Sequence, residues 1–444
     1  MKKKLCAFFL SLSLLTCATC FYVFINIHSF NHSVVKSNIE FLSSDYFRGR
    51  IPGSIENLEA ANFVKHELET SKVLPFNENY FQNFNAVCPV KLDKPALLCI
   101  TDKSGKTIKT YKYAEDYKED MINFKKNSIN FNKSDKPILS ETAIQIKKGG
   151  YFYAIYTPSN DSLNFRSSFI SDSSYAMCVT TTNKTMSELK EYINEGYSVN
   201  CFLPFEKKSK ELFNIIGCIN GKNRSLPPLI VSAHFDHMGT DLSGTIYNGA
   251  LDNASGMCFV LELSKYLKSL GVPKRDVLII GFNAEEFGCI GSKAFVDKYK
   301  TLLKGVKVYN FDMIGSNNFV PLGIMGGEND TGKVSLVKSV SSTCTKQGID
   351  FSYMFEDASD HMYFRKEGIE AVTFSDKDVS RIHTPNDKVA FISVDNIDRC
   401  FKVASREIIK NAYGDNFLLL FFKQILLVSL VSSLILIYFY KKID

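Results

Sequence analysis

The sequence predicts an α/β fold with a mixed, mostly parallel central sheet between helices, a β-rich accessory domain inserted into it, and an apolar segment at each end. Three observations support this prediction. The apolar runs 229–233 and 277–282 are typical of strands that are buried on both faces of a sheet. Each run is followed by a segment with helical spacing, and such alternation favours a parallel sheet. Residues 87–204 lack this alternation.

The predicted elements divide the chain into two domains. Helical spacing of apolar residues is found in 35–42, 56–70 and 255–270. Short β-like runs separated by Asn-, Ser- and Lys-rich loops occupy 96–101, 151–156 and 175–180. We therefore predict a discontinuous main domain over residues 36–86 and 205–412, interrupted by an inserted accessory domain over residues 87–204, hereafter called the insert.

Apolar segments near both ends predict membrane association. Residues 5–27 follow three lysines and are almost uncharged, which is typical of a signal sequence or of a transmembrane anchor, and both readings stay open. Residues 417–440 are apolar apart from Lys423 and Gln424, and two lysines follow them, so we expect a C-terminal transmembrane helix. Lysines beside both segments place both termini in the cytoplasm and the region between them outside.

Charge and cysteine usage exclude two classes of protein. The 53 basic and 47 acidic side chains give a net charge of only +6, and no basic motif interleaved with aromatic residues accompanies the Lys-rich stretch 103–148, so we expect no nucleic-acid partner. The twelve cysteines show no paired spacing, so the chain is not a disulfide scaffold. The sequence does not indicate an oligomeric state.

Side chains of the kind that bind metal ions stand where the predicted strands end. They are His234, Asp252, Glu285, Glu286, Asp312 and His383. Taken singly, each has an ordinary structural explanation, such as the helix N-cap that an Asp before Asn-Ala-Ser usually forms. In an α/β sheet, however, the loops at the carboxyl ends of the strands converge on one site. We therefore expect these side chains to lie together.

Two imidazoles and three carboxylates are a ligand set that suits zinc in a catalytic site, with cobalt or manganese as substitutes. The charge count favours two ions, because three carboxylates around one divalent ion would leave excess negative charge in a partly buried site. Asp252 would bridge the two ions. The side chains of the adjacent Glu285 and Glu286 would point in different directions from an extended backbone. We therefore expect one of them to bind metal and its neighbour to serve as the general base. Asp236 is expected to hold the imidazole of His234.

At these residues the sequence resembles the co-catalytic, two-zinc exopeptidases of the aminopeptidase Y and bacterial leucyl aminopeptidase family. Five motifs follow the order of that family: His-x-Asp at His234, Asp-Asn-Ala-Ser-Gly at Asp252, Asn-Ala-Glu-Glu-Phe-Gly at Asn283, Asp-Met-Ile-Gly at Asp312 and His-Thr-Pro-x-Asp at His383. The turn Phe-Arg-Gly-Arg-Ile-Pro-Gly near residue 50 and the segment that starts at Ser359 are also similar. The likeness covers about residues 36–86 and 212–410.

The resemblance implies an aminopeptidase that acts on peptide substrates. With the apolar segments at both ends, we expect it to be anchored in the cell membrane with its catalytic domain outside the cytoplasm. It assigns His234 and Asp312 to one zinc, Glu286 and His383 to the other, Asp252 to both, and the role of base to Glu285. It also implies an eight-stranded mixed sheet and an insert of the protease-associated type. Relatives with a tyrosine beside the last histidine use it to bind the oxyanion. Here Ile382 and Thr384 flank His383, which leaves Tyr363 and Arg381 as candidates.

Three alternative functions remain open at this stage. A glutaminyl-cyclase-like acyl transferase shares the scaffold but usually works with one zinc. A carboxypeptidase that acts on acidic dipeptides is a second enzyme on the same scaffold. A non-catalytic membrane receptor with a peptidase fold is a candidate from another class, and loss of the metal ligands would be its signature.

Overall fold

A computed structural model gives the fold of the chain and describes residues 2–318, 320–414 and 417–442. Within these residues the helices, in chain order, are α1 (Lys2–Asn26), α2 (His32–Leu42), α3 (Ile55–Thr70), α4 (Asn183–Glu195), α5 (Gly256–Ser269), α6 (Ile290–Tyr299), α7 (Ser335–Gln347), α8 (His361–Lys366), α9 (Val394–Ala412) and α10 (Phe417–Lys442). The strands are β1 (Leu74–Pro75), β2 (Phe81–Lys91), β3 (Leu97–Thr101), β4 (Thr107–Thr110), β5 (Tyr117–Phe124), β6 (Ser128–Phe131), β7 (Ile138–Leu139), β8 (Ala143–Lys148), β9 (Tyr151–Tyr156), β10 (Tyr175–Thr181), β11 (Ser198–Phe202), β12 (Phe205–Ile219), β13 (Leu229–His234), β14 (Val277–Phe282), β15 (Lys307–Phe311), β16 (Leu322–Gly326), β17 (Phe351–Phe355) and β18 (Glu370–Asp376).

The central sheet has nine strands. Eight of them lie in the order β1-β12-β14-β13-β15-β18-β16-β17, and β2 pairs with the long strand β12. Strands β14, β13, β15 and β18 are parallel to one another, whereas β12 and β16 run antiparallel to their neighbours β14 and β18. The sheet is therefore mixed with a parallel centre, which confirms the predicted fold class.

Helices cover both faces of this sheet, so every residue of β13 and β14 is buried. Successive side chains of a strand point to opposite faces. Val231 and Ile279 accordingly belong to a core that includes residues of α2, α3, α5, α7 and α9, whereas Ile230 and Leu278 belong to a second core with residues of α6 and α8. Burial on both faces is the reason that the two runs are almost wholly apolar.

The insert has two sheets of its own, in the strand orders β5-β10-β9-β8-β7 and β4-β3-β11-β6. Its helix α4 was not expected from the β-like runs. Thr182 caps the N-terminus of α4 by accepting a hydrogen bond from the amide of Thr185, and Gly196 ends the helix in a left-handed conformation. Strands β2 and β12 pair from Phe81 with Ile215 to Lys91 with Phe205. Strand β2 therefore runs across the predicted boundary after residue 86, whereas β12 begins at the predicted boundary, at Phe205. The division into domains stays a prediction.

The core of the insert is continuous with the main domain. Besides residues of its own sheets it contains Met238, Tyr247, Ala284 and Phe287, which lie in loops after β13 and β14. The insert therefore packs on the edge of the central sheet where the parallel strands end.

The two terminal helices lie against each other. The Ser13 hydroxyl of α1 donates a hydrogen bond to the carbonyl of Ser429 at 2.9 Å and lies 2.9 Å from the hydroxyl of Ser433. Both helices are long and apolar enough to cross a membrane. Only residues 27–31 separate α1 from α2, and only residues 413–416 separate α9 from α10.

Candidate metal centre

The six candidate side chains all lie at the carboxyl edge of the parallel strands. His234 ends β13, Asp312 directly follows β15, and Asp252 lies in an irregular turn that leads into α5. The two glutamates follow β14, and His383 lies in the loop after β18. Each strand is buried at its carboxyl end, so the core beneath it holds the polar residues that follow in place. The structure thus brings together the residues that the sequence predicts.

The distances between ligand atoms divide these residues into two groups. Nε2 of His234 lies 3.5 Å from Oδ1 of Asp312 and 3.6 Å from Oδ1 of Asp252. Nε2 of His383 lies 3.0 Å from Oε2 of Glu286 and 3.2 Å from Oδ2 of Asp252. The two oxygens of the Asp252 carboxylate therefore face different histidines.

The donor atoms fit metal ions. Both ring nitrogens of His234 and Oδ1 of Asp312 are buried without a hydrogen-bond partner, an arrangement that is costly unless another group satisfies them. Nitrogen and oxygen atoms that share one tetrahedral zinc lie about 3.3 Å apart, close to the spacings around His234 and His383. His234, Glu285 and Asp312 form one set of converging donors, and His237, Asp252 and Glu286 form another, each with atoms within 4.8 Å of one another.

The backbone conformation of Glu285 and Glu286 differs from the expectation. An extended backbone was predicted for Glu285 and Glu286, and this is wrong: both lie in a turn, which begins with Ala284 at a φ of 58°. The turn still separates the two side chains. Oε2 of Glu285 lies 3.9 Å from Nε2 of His234, whereas Glu286 points toward His237 and His383.

Asp236 contacts the backbone of this turn rather than a ring. Its carboxylate accepts hydrogen bonds from the amides of Glu285 at 3.1 Å and Glu286 at 3.2 Å. The expected contact with Nδ1 of His234 measures 3.6 Å, which is longer than a hydrogen bond. Asp236 therefore fixes the direction in which the glutamates leave the strand.

His237 is the residue that sequence reasoning left without a role. Its Nδ1 lies 2.9 Å from Oε1 of Glu286 and 3.8 Å from Oδ2 of Asp252, and its Nε2 is buried without a partner. The available signal was its position, three residues after His234 in the same loop. That spacing alone does not tell whether the ring faces the site.

Two further residues hold the loops that carry the donors. The buried guanidinium of Arg50 donates to the carbonyl oxygens of Phe235 at 2.7 Å and Gly249 at 2.6 Å, next to the loops of His234 and Asp252. The carboxylate of Asp387 accepts from the amide of Asp252 at 2.9 Å. These residues belong to the Arg-Gly-Arg turn and the His-Thr-Pro-x-Asp motif, which explains why both motifs accompany the donors.

The donor from β15 is held in a similar way. The Ser359 hydroxyl donates to Oδ2 of Asp312 at 2.7 Å and accepts from the side chain of Asn310 at 3.0 Å. One oxygen of Asp312 is thereby occupied, and the other, Oδ1, faces His234.

Carboxylates dominate the electrostatics of the site. Burial lowers the pKa of His234, but Glu285 and Asp312 outweigh it and hold that pKa well above its ordinary value. Burial raises the pKa of Glu285 well above its ordinary value, and the neighbouring Glu286 and Asp312 add to the effect while His234 opposes it. For Glu286 burial is outweighed by His383 and His237, so its pKa falls well below the ordinary value. A field of this sign favours a bound cation.

A cavity of about 250 Å³ opens beside these donors. Its apolar wall consists of Met313, Met325, Met354, Ala358, Val379 and Ile382. Neither candidate for binding an oxyanion lines it: the hydroxyl of Tyr363 donates to the carbonyl of Gly288 at 3.5 Å, and the guanidinium of Arg381 pairs with Asp378 at 3.1 Å.

Comparisons with known proteins agree with this site. Residues 214–408 match the family model described as Peptidase family M28. The chain is 31% identical over 196 residues to the aminopeptidase YwaD of Bacillus subtilis, a stretch that is 42% of this chain and 42% of that protein. It is 25% identical over 195 residues to the vacuolar membrane protease of Debaryomyces hansenii, 41% of this chain and 18% of that protein. The chain thus spans less than half the length of these relatives.

The fold has relatives among solved structures. The structure of BSAP, a zinc aminopeptidase from Bacillus subtilis, superposes with a TM-score of 0.61 at 20% identity, covering 87% of this chain and 97% of that one. At this identity the likeness shows the fold. Residues 214–408 are thus similar in sequence to peptidase family M28, and the chain shares the fold of a solved zinc aminopeptidase.

Proposed function

We propose that the chain is a membrane-anchored zinc exopeptidase that removes N-terminal residues from peptides outside the cytoplasm. The observation that carries the proposal is the Asp252 carboxylate, whose two oxygens face His234 at 3.6 Å and His383 at 3.2 Å. One carboxylate shared between two sets of donors is what a two-metal site needs.

Two zinc ions are proposed, each with its own donors. His234 and Asp312 would hold one ion, Glu286 and His383 the other, and Asp252 both, while His237 supports Glu286 through its hydrogen bond. When bound, such ions polarise a carbonyl group and lower the pKa of a coordinated water.

Glu285 is the proposed general base. In the described part of the chain, no histidine donates a hydrogen bond to its carboxylate. The amide of Glu285 donates to the carboxylate of Asp236 at 3.1 Å, which fixes the backbone of Glu285. From this position it can take the proton of the attacking water and return it to the leaving amine.

The cavity supports an aminopeptidase over a carboxypeptidase for acidic dipeptides. Its apolar wall suits the side chain of an apolar first residue. An acidic side chain would need cations, and the one basic residue among those lining the cavity, Lys377, lies 3.9 Å from Glu356.

The first prediction tests the activity and its substrate class. We expect the purified chain to bind two zinc ions and to hydrolyse aminoacyl 4-nitroanilides with apolar residues, but not their N-acetylated forms, because an aminopeptidase requires a free α-amine. Metal content is measured by atomic emission and hydrolysis by absorbance. One zinc ion per chain together with cyclisation of N-terminal glutamine would favour the acyl transferase. A chain that binds no zinc would favour the non-catalytic receptor.

Variants of the carboxylates separate chemistry from metal binding. Glu285→Gln should keep both zinc ions and lose hydrolysis by a factor of at least about 100, since removal of a general base costs about 10²- to 10⁴-fold. Asp252→Asn should lose zinc. Glu40→Gln, a change on the exposed surface of α2, is the matched control. If Glu285→Gln retains hydrolysis, another group is the base.

Membrane anchoring through both terminal helices is part of the proposal. The ammonium of Lys3 lies 5.7 Å from the ring of Tyr440, so the start of α1 lies beside the end of α10. Lysines at these two ends would then share one side of the membrane, and basic residues favour the cytoplasmic side. The proposed location is the cell membrane, with the metal centre outside.

A further inference from the structure

A short segment of the insert, residues 165–169, lies directly against the candidate metal centre. The amide of Arg166 donates to the carbonyl of His383 at 3.1 Å, and the carbonyl of Arg166 lies 3.1 Å from Nδ1 of His383. The amide of Phe169 donates to the carbonyl of Glu286 at 2.9 Å. The hydroxyl of Ser168 donates to Oε2 of Glu286 at 3.3 Å. Two candidate donors are therefore contacted by the insert.

The contact with Arg166 determines which nitrogen of the His383 ring carries the hydrogen. A backbone carbonyl can only accept, so Nδ1 of His383 must carry the hydrogen. The lone pair is then on Nε2, the atom that faces Glu286 at 3.0 Å and Asp252 at 3.2 Å. Metal-binding histidines are generally oriented by such a bond from the other ring nitrogen.

The same segment restrains the position of the ring. Phe165 stacks on His383 with 5.7 Å between ring centroids and 23° between ring planes. His383 itself has a φ of 55°, in the left-handed region that costs free energy for residues other than glycine. The hydrogen bond from the amide of Arg166 to the carbonyl of His383, together with the bond from the His383 ring to the carbonyl of Arg166, holds this conformation.

Buried charges fix the segment at its centre. The guanidinium of Arg166 is fully buried, pairs with Glu119 of β5 at 3.2 Å and donates to the carbonyl of Met238 at 2.8 Å. It also lies 5.1 Å from the ring centroid of Tyr247. One side chain thus joins a strand of the insert to loops of the main domain that carry the metal centre.

A second carboxylate of β5 holds the neighbouring residue. Asp120 accepts hydrogen bonds from the amide of Ser167 at 2.9 Å and from its hydroxyl at 3.0 Å. The segment is thereby tied to the insert on one side and to His383 and Glu286 on the other.

We propose that the 165–169 segment is a positioning element. Through it, the insert holds Glu286 and His383 in the arrangement that binds one of the two metal ions. Among the described residues, no hydrogen bond or ring contact joins the segment to His234 or Asp312, so the position of these two residues forms without it. The inference rests on the proposed two-zinc function. Arg166 acts through His383 and does not touch substrate, so it is a positioning residue.

The test measures the two zinc affinities separately, by competition with chelators of graded strength. Phe165→Ala removes the stacked ring at a side chain that is 41% exposed, so the fold tolerates the change. We expect the affinity for one of the two zinc ions to fall about 10- to 100-fold while the affinity for the other is unchanged. Arg166→Met should have a larger effect of the same kind. The cobalt-substituted protein reports the same change in its visible spectrum.

Phe152→Ala is the matched control, because Phe152 is 43% exposed on β9 of the same insert and packs on Tyr175. Equal zinc affinities in Phe165→Ala and the wild type would overturn the inference and leave the proposed function intact. Equal weakening of both ions would also overturn it, since the segment would then act as a general stabiliser. A wild-type protein without zinc would overturn both proposals. If Arg166→Met does not fold, Phe165→Ala decides.

Discussion

The side chain of Arg50 joins several loops around the candidate metal centre. Its guanidinium donates to four carbonyl oxygens within 3.3 Å, those of Leu42, Phe235, Asn248 and Gly249. Burial lowers the pKa of Arg50, and the carboxylates of Asp252, Asp387 and Asp236 oppose this. The planar fork of arginine suits several acceptors at once, which the single ammonium of lysine does not. The loops of His234 and Asp252 are therefore joined through one charge.

The prediction at this scale is that Arg50→Lys reduces both stability and zinc affinity. Buried carbonyl groups left without donors each cost about 1–3 kcal/mol, so we expect a loss of at least about 2 kcal/mol in the free energy of unfolding. Urea unfolding with and without zinc measures it. Arg48→Lys is the control, because the Arg48 side chain is 56% exposed and lies 3.7 Å from Glu56. A variant as stable as the wild type would contradict this role.

Individual site residues were predictable from sequence to different degrees. His234, Asp312 and Asp252 follow apolar strands or open a helix, so their convergence follows from the topology of the sheet. The role of His237 depends on the direction of a side chain in a loop, and the glutamate turn depends on a positive φ at Ala284. The contact between Arg166 and His383 joins residues 217 positions apart, which no local pattern encodes.

Secondary-structure elements of the main domain were the most predictable part of the chain. The runs 229–233 and 277–282 match β13 (Leu229–His234) and β14 (Val277–Phe282), because burial on both faces leaves a continuous apolar signal. Helix α5 (Gly256–Ser269) lies within the predicted span 255–270. Helix α4 of the insert was missed, because polar residues separate the apolar positions that it buries, such as Met186 and Leu189.

At the scale of elements, Thr182→Ala should destabilise the insert without changing the metal centre. The hydroxyl of Thr182 accepts from the amide of Thr185 at 3.3 Å and caps α4, and loss of such a cap costs about 1 kcal/mol. Thermal unfolding followed by circular dichroism measures the effect, while zinc content is expected to stay constant. Thr182→Ser retains the cap and should restore stability. No difference between the two variants would show that the cap contributes nothing.

The whole molecule is organised by two interfaces, one between the insert and the main domain and one between α1 and α10. In the second, small hydroxyl side chains of Ser13, Ser429 and Ser433 lie between the helices, as is common where helices approach closely in a membrane. Leu12 and Leu15 of α1 and Val428 of α10 remain exposed, at the surface that lipid would cover.

The prediction for the whole molecule concerns its topology. Epitope tags fused to the two termini should both be protected from protease added to intact cells, because the lysines at the start of α1 and the end of α10 lie on the same side. The body of the chain should be accessible in the same experiment. Cleavage of either tag in intact cells, or release of the protein by alkaline washing, would contradict the arrangement.

The short connections at both ends have a consequence for which substrates the proposed peptidase could reach. Five residues, 27–31, join α1 to α2, and the part of α10 that could cross a membrane begins at Phe421, soon after α9 ends at Ala412. An extended chain spans at most about 3.5 Å per residue, so two such tethers hold the body within about 30 Å of the bilayer. With both helices embedded, the body can neither turn over nor move away from the surface. The protein would then select peptides by their distance from the membrane surface as well as by their sequence.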